Sequence, residues 1–228
     1  MLNLFLDLFF PKKCINCGRF GNYLCDYCQR KISFLKIQKC LICERPSIGG
    51  MTHPRCNGKY TLDGAISLAK FDGSMRKAIH VLKYRRISDL TQTLTDLMLE
   101  NLWRQKQIPE FEFIITGVPM FPKKENQRGF NQAAIFAKEL AKQVGFEFND
   151  QLLVKVKNTK AQMELSEKER KTNLRGVFKL KSGANVAGCD FLIFDDLRTT
   201  GTTLKECAHV LKRAGAGKVW GLTLAATN

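Results

Sequence analysis

Seven of the nine cysteines in this 228-residue chain precede Lys59, and their spacing restricts the fold more than any other feature. Cys14 and Cys17, Cys25 and Cys28, and Cys40 and Cys43 form three CxxC steps, and Cys56 follows with His53 three residues before it. A CxxC step turns two thiolates toward one tetrahedral ion, so these eight residues suit two closed metal sites. Chain order suggests Cys14, Cys17, Cys25 and Cys28 for one site and Cys40, Cys43, His53 and Cys56 for the other. Interleaved ligation satisfies the same spacings, and His53 also suits a surface turn. Disulfides are the competing use of such cysteines, but the start of the chain lacks the pattern of a secretion signal and the composition is of a cytosolic type, which argues for reduced thiols. Four protein ligands leave no position for a reacting water, so zinc here is structural. About sixty residues with few aliphatic side chains bury little core, and coordination supplies their folding free energy. Cys189 and Cys207 stand apart and read as small buried apolar residues.

Ahead of the first cysteine, residues 2–10 are apolar but too short to span a bilayer, and Asp7 interrupts them. A short amphipathic helix packed on the body of the protein is the expectation. From Tyr60 the pattern changes to alternating strand-like and helix-like segments. The division expected is a zinc-binding module over residues 1–60 and one α/β domain over 61–228. Strands are expected at 64–70, 113–119, 191–194 and 218–225, and helices at 74–84, 88–106, 132–144 and 204–213. Alternation of this kind predicts a twisted, mostly parallel sheet flanked by helices.

Within that domain the run from Phe191 to Leu204 joins an uncharged apolar strand, the carboxylates Asp195 and Asp196, a hydroxyl-rich turn and a helix start. Thr199, Thr200, Gly201, Thr202 and Thr203 present backbone N–H groups at a helix N-terminus, with Gly201 permitting close approach, and a phosphate fits such a nest. Paired carboxylates at the C-terminal end of a strand accept hydrogen bonds from vicinal ribose hydroxyls. Taken singly these are ordinary turn and cap residues; together they read as a ribose-phosphate site. The loop after the second strand carries Lys123, Lys124 and Arg128, cations suited to a pyrophosphate.

Net charge is +16, of which +7 falls in the first sixty residues and +9 in the remaining 168. A polyanion is the natural partner, although acidic lipid or plain solubility fits the same balance. Aromatic residues interleave with cations around Arg19, Phe20, Tyr23, Tyr27 and Lys31, and at Lys83, Tyr84 and Arg85, a combination that stacks unpaired bases while neutralising phosphates. A core role is the alternative for each aromatic and is preferred for Phe34. The stretch 155–181 holds nine Lys or Arg against three Glu, with Lys160 at its expected loop; a solvated basic face is the ordinary meaning of such a run.

The fourteen residues from Phe191 to Leu204 resemble the signature of type I phosphoribosyltransferases, in which the acidic pair contacts the ribose and the Thr/Gly loop holds the 5′-phosphate of phosphoribosyl pyrophosphate. Arg198 departs from that pattern, which usually carries an apolar or aromatic residue there. The cysteine cluster, Leu82 to Arg85, Val118-Pro119 with Arg128-Gly129-Phe130-Asn131-Gln132, Thr159 with Gln162, Leu165-Ser166, Arg170, Asn173 and the Asp-Asp turn together resemble the ComF family of competence proteins, in order and over almost the whole chain. The resemblance implies a type I phosphoribosyltransferase-like fold joined to a small zinc-ribbon module, and a role in natural transformation, where imported DNA reaches the cytoplasm single-stranded. His53 stands where the family more usually has cysteine.

Three functions follow as expectations. The first is a cytoplasmic protein, or one peripheral at the inner face of the cytoplasmic membrane, that handles single-stranded DNA and holds phosphoribosyl pyrophosphate with Mg²⁺. Lys31, Lys83, Tyr84, Arg85 and Lys160 would touch the DNA. The second is an active phosphoribosyltransferase with an unidentified acceptor, for which no catalytic residue beyond the binding set stands out. The third makes the zinc module a docking surface for another competence protein, such as a DNA translocase or a recombination mediator.

Overall fold

The computed structural model describes residues 11–104, 112–158 and 176–227. The expected helix over residues 2–10 and the site residues Thr159, Lys160, Gln162, Arg170 and Asn173 lie outside them. The amino-terminal part contains a short helix, α1 (Asp26–Gln29), and a two-residue antiparallel ladder of β1 (Gln38–Lys39) with β2 (Pro46–Ser47). Its two knuckles repeat one hydrogen-bond pattern. The Cys14 N–H donates to Arg19 O and the Gly18 N–H to Cys14 O; likewise Cys40 donates to Arg45 O and Glu44 to Cys40 O. Lys13 bridges Phe20 as Lys39 pairs with Pro46. The residue after the second cysteine is left-handed in both, Gly18 at φ 77° and Glu44 at φ 59°.

The remainder forms β3 (Gly64–Lys70), α2 (Gly73–Tyr84), α3 (Ser88–Arg104), β4 (Ile114–Gly117), α4 (Pro122–Arg128), α5 (Gln132–Val144), a hairpin of β5 (Leu153–Lys155) and β6 (Phe178–Leu180), β7 (Phe191–Arg198), α6 (Thr202–Arg213) and β8 (Val219–Ala226). Strands β3, β8, β7 and β4 lie side by side in that order, every neighbouring pair parallel. All of β8 and six of the seven residues of β3 are buried, because helices cover both faces of the sheet. On one face pack α2, α3 and α5, through stripes such as Met75, Ala78, Ile79 and Leu82 at helical spacing. The other face carries α6 with Leu204, Cys207, Ala208 and Leu211, and the β5–β6 hairpin. Each fully buried leucine here contributes about 1.5–3 kcal/mol relative to exposure.

The zinc module is clamped on the β3 edge of this sheet. The Leu35 N–H donates to Leu68 O and the Lys70 N–H to Ser33 O. The Gln38 side chain then continues the ladder: its Nε2 donates to Ser67 O and its Oε1 accepts from Ser67 N, each at 3.0 Å. An amide side chain thus satisfies backbone groups that an edge strand would leave bare. The first ribbon contributes Cys14, Leu24, Cys28 and Ile32 to the core on one face, and the second contributes Leu41 to the core on the other.

Several boundaries differ from the expectation: β4 is shorter than 113–119, the short helix α4 occupies the loop after it, and two more differences lie beside the acidic pair. Strand β7 continues past Phe194 to Arg198, and α6 begins at Thr202 rather than Leu204. Strand β4 ends opposite Phe194, whereas β8 accompanies β7 up to the pair Arg198 with Ala226. Beyond Phe194 one edge of β7 is therefore open, which lets carboxylates occupy a strand that reads as apolar only in its first four residues.

Candidate functional site

Neighbouring strands β4 and β7 send their connections in opposite directions, β4 to α5 on one face and β7 to α6 on the other. The crevice beyond their C-terminal ends is where open α/β sheets bind ligands. Gly117 sits at its floor, and a Cβ there would lie 2.5 Å from the Ala134 backbone nitrogen, so only glycine lets strand and helix meet this closely. Asn131 holds the intervening loop: its Nδ2 donates to Val118 O at 3.0 Å, and its Oδ1 caps α5 by accepting from Ala133 N at 3.1 Å.

On the far wall, Asp195 Oδ1 accepts the Asp196 N–H at 2.9 Å, and Asp196 Oδ2 lies 3.7 Å from Lys83 Nζ. Burial and then the neighbouring Asp196 charge push the Asp195 carboxyl well above its ordinary value, against the pull of Lys83. Lys155, on β5, is pushed down from the usual lysine range by burial and by the charge of Lys124, while Asp195 draws it back up. Lysines from α2 and β5 thus act electrostatically on one carboxylate pair, and Lys124 on α4 acts in turn on Lys155. The turn that follows is tight. Gly201 has φ 68°, Thr200 Oγ1 and Thr202 Oγ1 are 2.7 Å apart, and Thr202 and Thr203 form the first turn of α6. Lys123 and Arg128 lie on α4, Lys123 exposed and Arg128 half-buried. Arg198, the departure from the sequence signature, is buried; its Nε donates to Ser67 Oγ at 2.9 Å, and Thr223 Oγ1 donates to the same oxygen at 2.8 Å.

The sequence placed Lys83 with the DNA-binding residues, whereas the fold sets it against Asp196. It placed Lys155 only at the head of a basic run. The signal that could have found Lys155 is its position in an apolar strand, Leu152 to Val156, where a solvated lysine is out of place. Tyr84 and Arg85, by contrast, stand on the surface at the end of α2, Tyr84 being 71% exposed.

Two groups of metal-ligating side chains come together in the ribbons, Cys14, Cys17, Cys25 and Cys28, and Cys40, Cys43, His53 and Cys56, with the ligand atoms in each group all within 4.8 Å of one another. Cys17 Sγ and Cys25 Sγ are 3.6 Å apart, near the edge of a tetrahedron with Zn–S bonds of about 2.3 Å. The donor sets fit structural zinc. Burial raises the Cys14 thiol, but the backbone N–H groups of Cys25, Cys17 and Asn16 bring it down to about 6. In the same way the N–H groups of His53, Cys43 and Ile42 bring Cys40 to about 7. Burial and the neighbouring sulfurs raise Cys28 to about 12 and Cys56 to about 11. His53 Nε2 is 3.1 Å from Pro46 O, which can only accept, so Nε2 carries the proton and Nδ1, 3.2 Å from Cys43 Sγ, offers its lone pair to the site.

The first ribbon also carries a cationic and aromatic surface. Arg19 Cζ and Lys31 Nζ lie 5.3 and 4.2 Å from the Tyr27 ring centroid, and Lys13 Nζ lies 4.8 Å from that of Phe20, which is 66% exposed. Tyr23 and Phe34 pack instead against the core. Cys207 is buried and Cys189 half-buried. Among the described residues no helix is long and apolar enough to cross a membrane.

A double zinc ribbon domain model matches residues 5–57. DNA utilization protein YhgH of Salmonella typhimurium is 30% identical over 212 residues, covering 87% of this chain and 89% of that protein. Competence protein ComFC of Streptococcus pneumoniae is 26% identical over 201 residues, 88% of this chain and 80% of its own, and competence protein F of Haemophilus influenzae is 32% identical over 53% of each. Among solved structures, the allosteric regulatory enzyme of purine biosynthesis overlaps 64% of this chain and 30% of its own, at 18% identity and a TM-score of 0.42. Adenine phosphoribosyltransferase from Leishmania tarentolae overlaps 70% and 91%, at 14% identity and a TM-score of 0.38. Overlap this slight carries no weight beside the topology itself. The paired ribbons and the relatives that match over most of both chains decide the family: the chain belongs to the ComF family of competence and DNA utilization proteins.

Proposed function

We propose that the protein holds phosphoribosyl pyrophosphate, or the terminal nucleotide of a strand, at the Asp195–Thr203 turn and single-stranded DNA on its basic surfaces, acting in the cytoplasm on DNA taken up during natural transformation. The observation that carries this reading is the meeting, beyond β4 and β7, of an acidic pair, a helix N-terminus entered through left-handed Gly201, and the lysines Lys83, Lys124 and Lys155. Asp195 and Asp196 would accept from the ribose hydroxyls, and the N–H groups of residues 199–203 would hold the 5′-phosphate. Lys124 and Lys155, with Lys123 and Arg128 on α4, would face the pyrophosphate, with Mg²⁺ arriving as part of that ligand. Lys13, Arg19, Phe20, Tyr27 and Lys31 on the first ribbon, and Tyr84 and Arg85 at the end of α2, offer stacking faces beside phosphate-neutralising charge. Relatives named for DNA utilization and for competence supply the setting.

The cations facing the acidic pair also favour a second reading, transfer of ribose 5-phosphate. The bond from the anomeric carbon to a pyrophosphate oxygen would break as a bond to an acceptor nitrogen forms, with charge stabilisation and positioning supplying catalysis and no protein nucleophile required. Calorimetric titration with phosphoribosyl pyrophosphate and Mg²⁺, repeated with a single-stranded oligonucleotide present, tests the first reading. Binding in both cases with a shifted affinity supports a two-ligand protein, since coupling between sites is reciprocal. Independent binding would separate the two activities, and release of pyrophosphate on adding DNA would favour the second reading.

A further inference from the structure

The second ribbon touches the phosphate turn. Leu41, between Cys40 and Cys43, is 2% exposed and rests on Gly201: a Cβ added to Gly201 would lie 2.9 Å from Leu41 Cδ2 and 3.1 Å from Cδ1. Gln38, two residues ahead of Cys40, holds the backbone of Ser67, whose hydroxyl accepts from Arg198, the residue that leads into the turn. The two ribbons share one knuckle pattern but differ at the left-handed position that closes it. The first has Gly18, for which that conformation costs nothing; the second has Glu44 at φ 59°, a strained backbone for a side chain with a Cβ.

Resting on the reading of the Asp195–Thr203 turn as a ligand site, we infer that the second zinc knuckle is a wall of that site. Leu41 is a positioning residue of the turn, through Gly201. Metal at Cys40, Cys43, His53 and Cys56 therefore sets the geometry in which residues 199–203 meet a phosphate, whereas metal at Cys14, Cys17, Cys25 and Cys28 does not. The protein would then bind the ribose-phosphate ligand only when the second ribbon is loaded, and metal depletion there would release the ligand.

Hydrogen exchange of the amides of residues 199–203 tests this with or without a ligand, in the full chain purified with zinc. Leu41→Ala and Cys43→Ser are expected to speed exchange in the turn by about tenfold or more, while Cys17→Ser, which removes a first-ribbon ligand, leaves it unchanged; zinc content per chain confirms which site each variant empties. Leu62→Ala controls for lost core, because Leu62 is equally buried in the same apolar cluster. Leu41→Ala should also weaken phosphoribosyl pyrophosphate binding by about tenfold, the scale of a small misplacement of binding groups. Unchanged exchange in Leu41→Ala, or equal losses in Cys17→Ser or Leu62→Ala, would overturn the inference. If the exchange contrast holds but no variant nor the unaltered protein binds phosphoribosyl pyrophosphate, the ligand reading fails and the knuckle's hold on the turn stands.

Discussion

Asp195 shows what a buried carboxyl costs a fold. Its carboxyl is pushed up by burial and by Asp196, so the folded-state value exceeds the unfolded one. A group shifted in that direction favours the folded state below the unfolded value and loses that contribution as pH rises through the folded one. Above the unfolded value the buried carboxyl is therefore a net cost, and neutral pH lies in that range. Asp195→Asn is expected to raise the melting temperature at pH 7, with the advantage shrinking as pH falls toward the ordinary carboxylate value of 3.8. A melting temperature that drops at pH 7 would mean that the charge stabilises the fold. Much at this scale was legible. The acidic pair and the threonine turn are written in consecutive residues, and the eight metal ligands in their spacing. Lys83 was not, because its neighbour Asp196 lies far along the chain and nothing local distinguishes a lysine aimed at a carboxylate from one in solvent. His53 was half-legible: its spacing nominated it, but only the hydrogen bond from Nε2 to Pro46 O turns Nδ1 toward the thiols.

Helices were easier to read than the ends of strands. Stripes such as Leu90, Leu94, Met98 and Leu102 on α3 repeat at helical spacing and need no tertiary knowledge. The extension of β7 through Asp195 and Asp196 depends on where β4 stops, and sequence alone does not carry that. The docking of the ribbons on the β3 edge was hidden for a related reason: a glutamine amide serving as a strand residue leaves no alternating pattern. That contact has a measurable consequence. Gln38→Ala removes both partners of the Ser67 backbone at the sheet edge, and leaving buried polar groups unsatisfied costs about 1–3 kcal/mol. Urea denaturation should show a loss in that range with the zinc content unchanged. A loss below about 0.5 kcal/mol, the ordinary scale of surface substitutions, would mean that water replaces the amide freely.

Across the whole molecule, charge and fold answer different questions. On the proposed reading the crevice takes a small phosphorylated ligand, and the net charge of +16 suits a polyanion. The cationic ring contacts of the first ribbon lie on a different element from the crevice, so one chain can hold both ligands. DNA affinity should fall steeply with salt, by a slope of about 0.7 in log units for each phosphate neutralised on a single strand. Substituting Arg19 and Lys31 together by alanine should reduce that slope by about 1–2 while leaving the crevice untouched. An unchanged slope would move the DNA to another face, with Tyr84 and Arg85 at the end of α2 the next surface to vary. The family assignment gives the setting for these ligands, but the crevice is what makes the small-ligand claim specific.

That claim is tested most directly by calorimetric titration of phosphoribosyl pyrophosphate with Mg²⁺ into the zinc-loaded protein and into an Asp195→Asn, Asp196→Asn variant. Measurable binding to the first and none to the second, with both equally folded by circular dichroism, is the predicted result. Equal affinity in the two proteins would contradict it, because the ribose would then be held without the acidic pair on which the site is built.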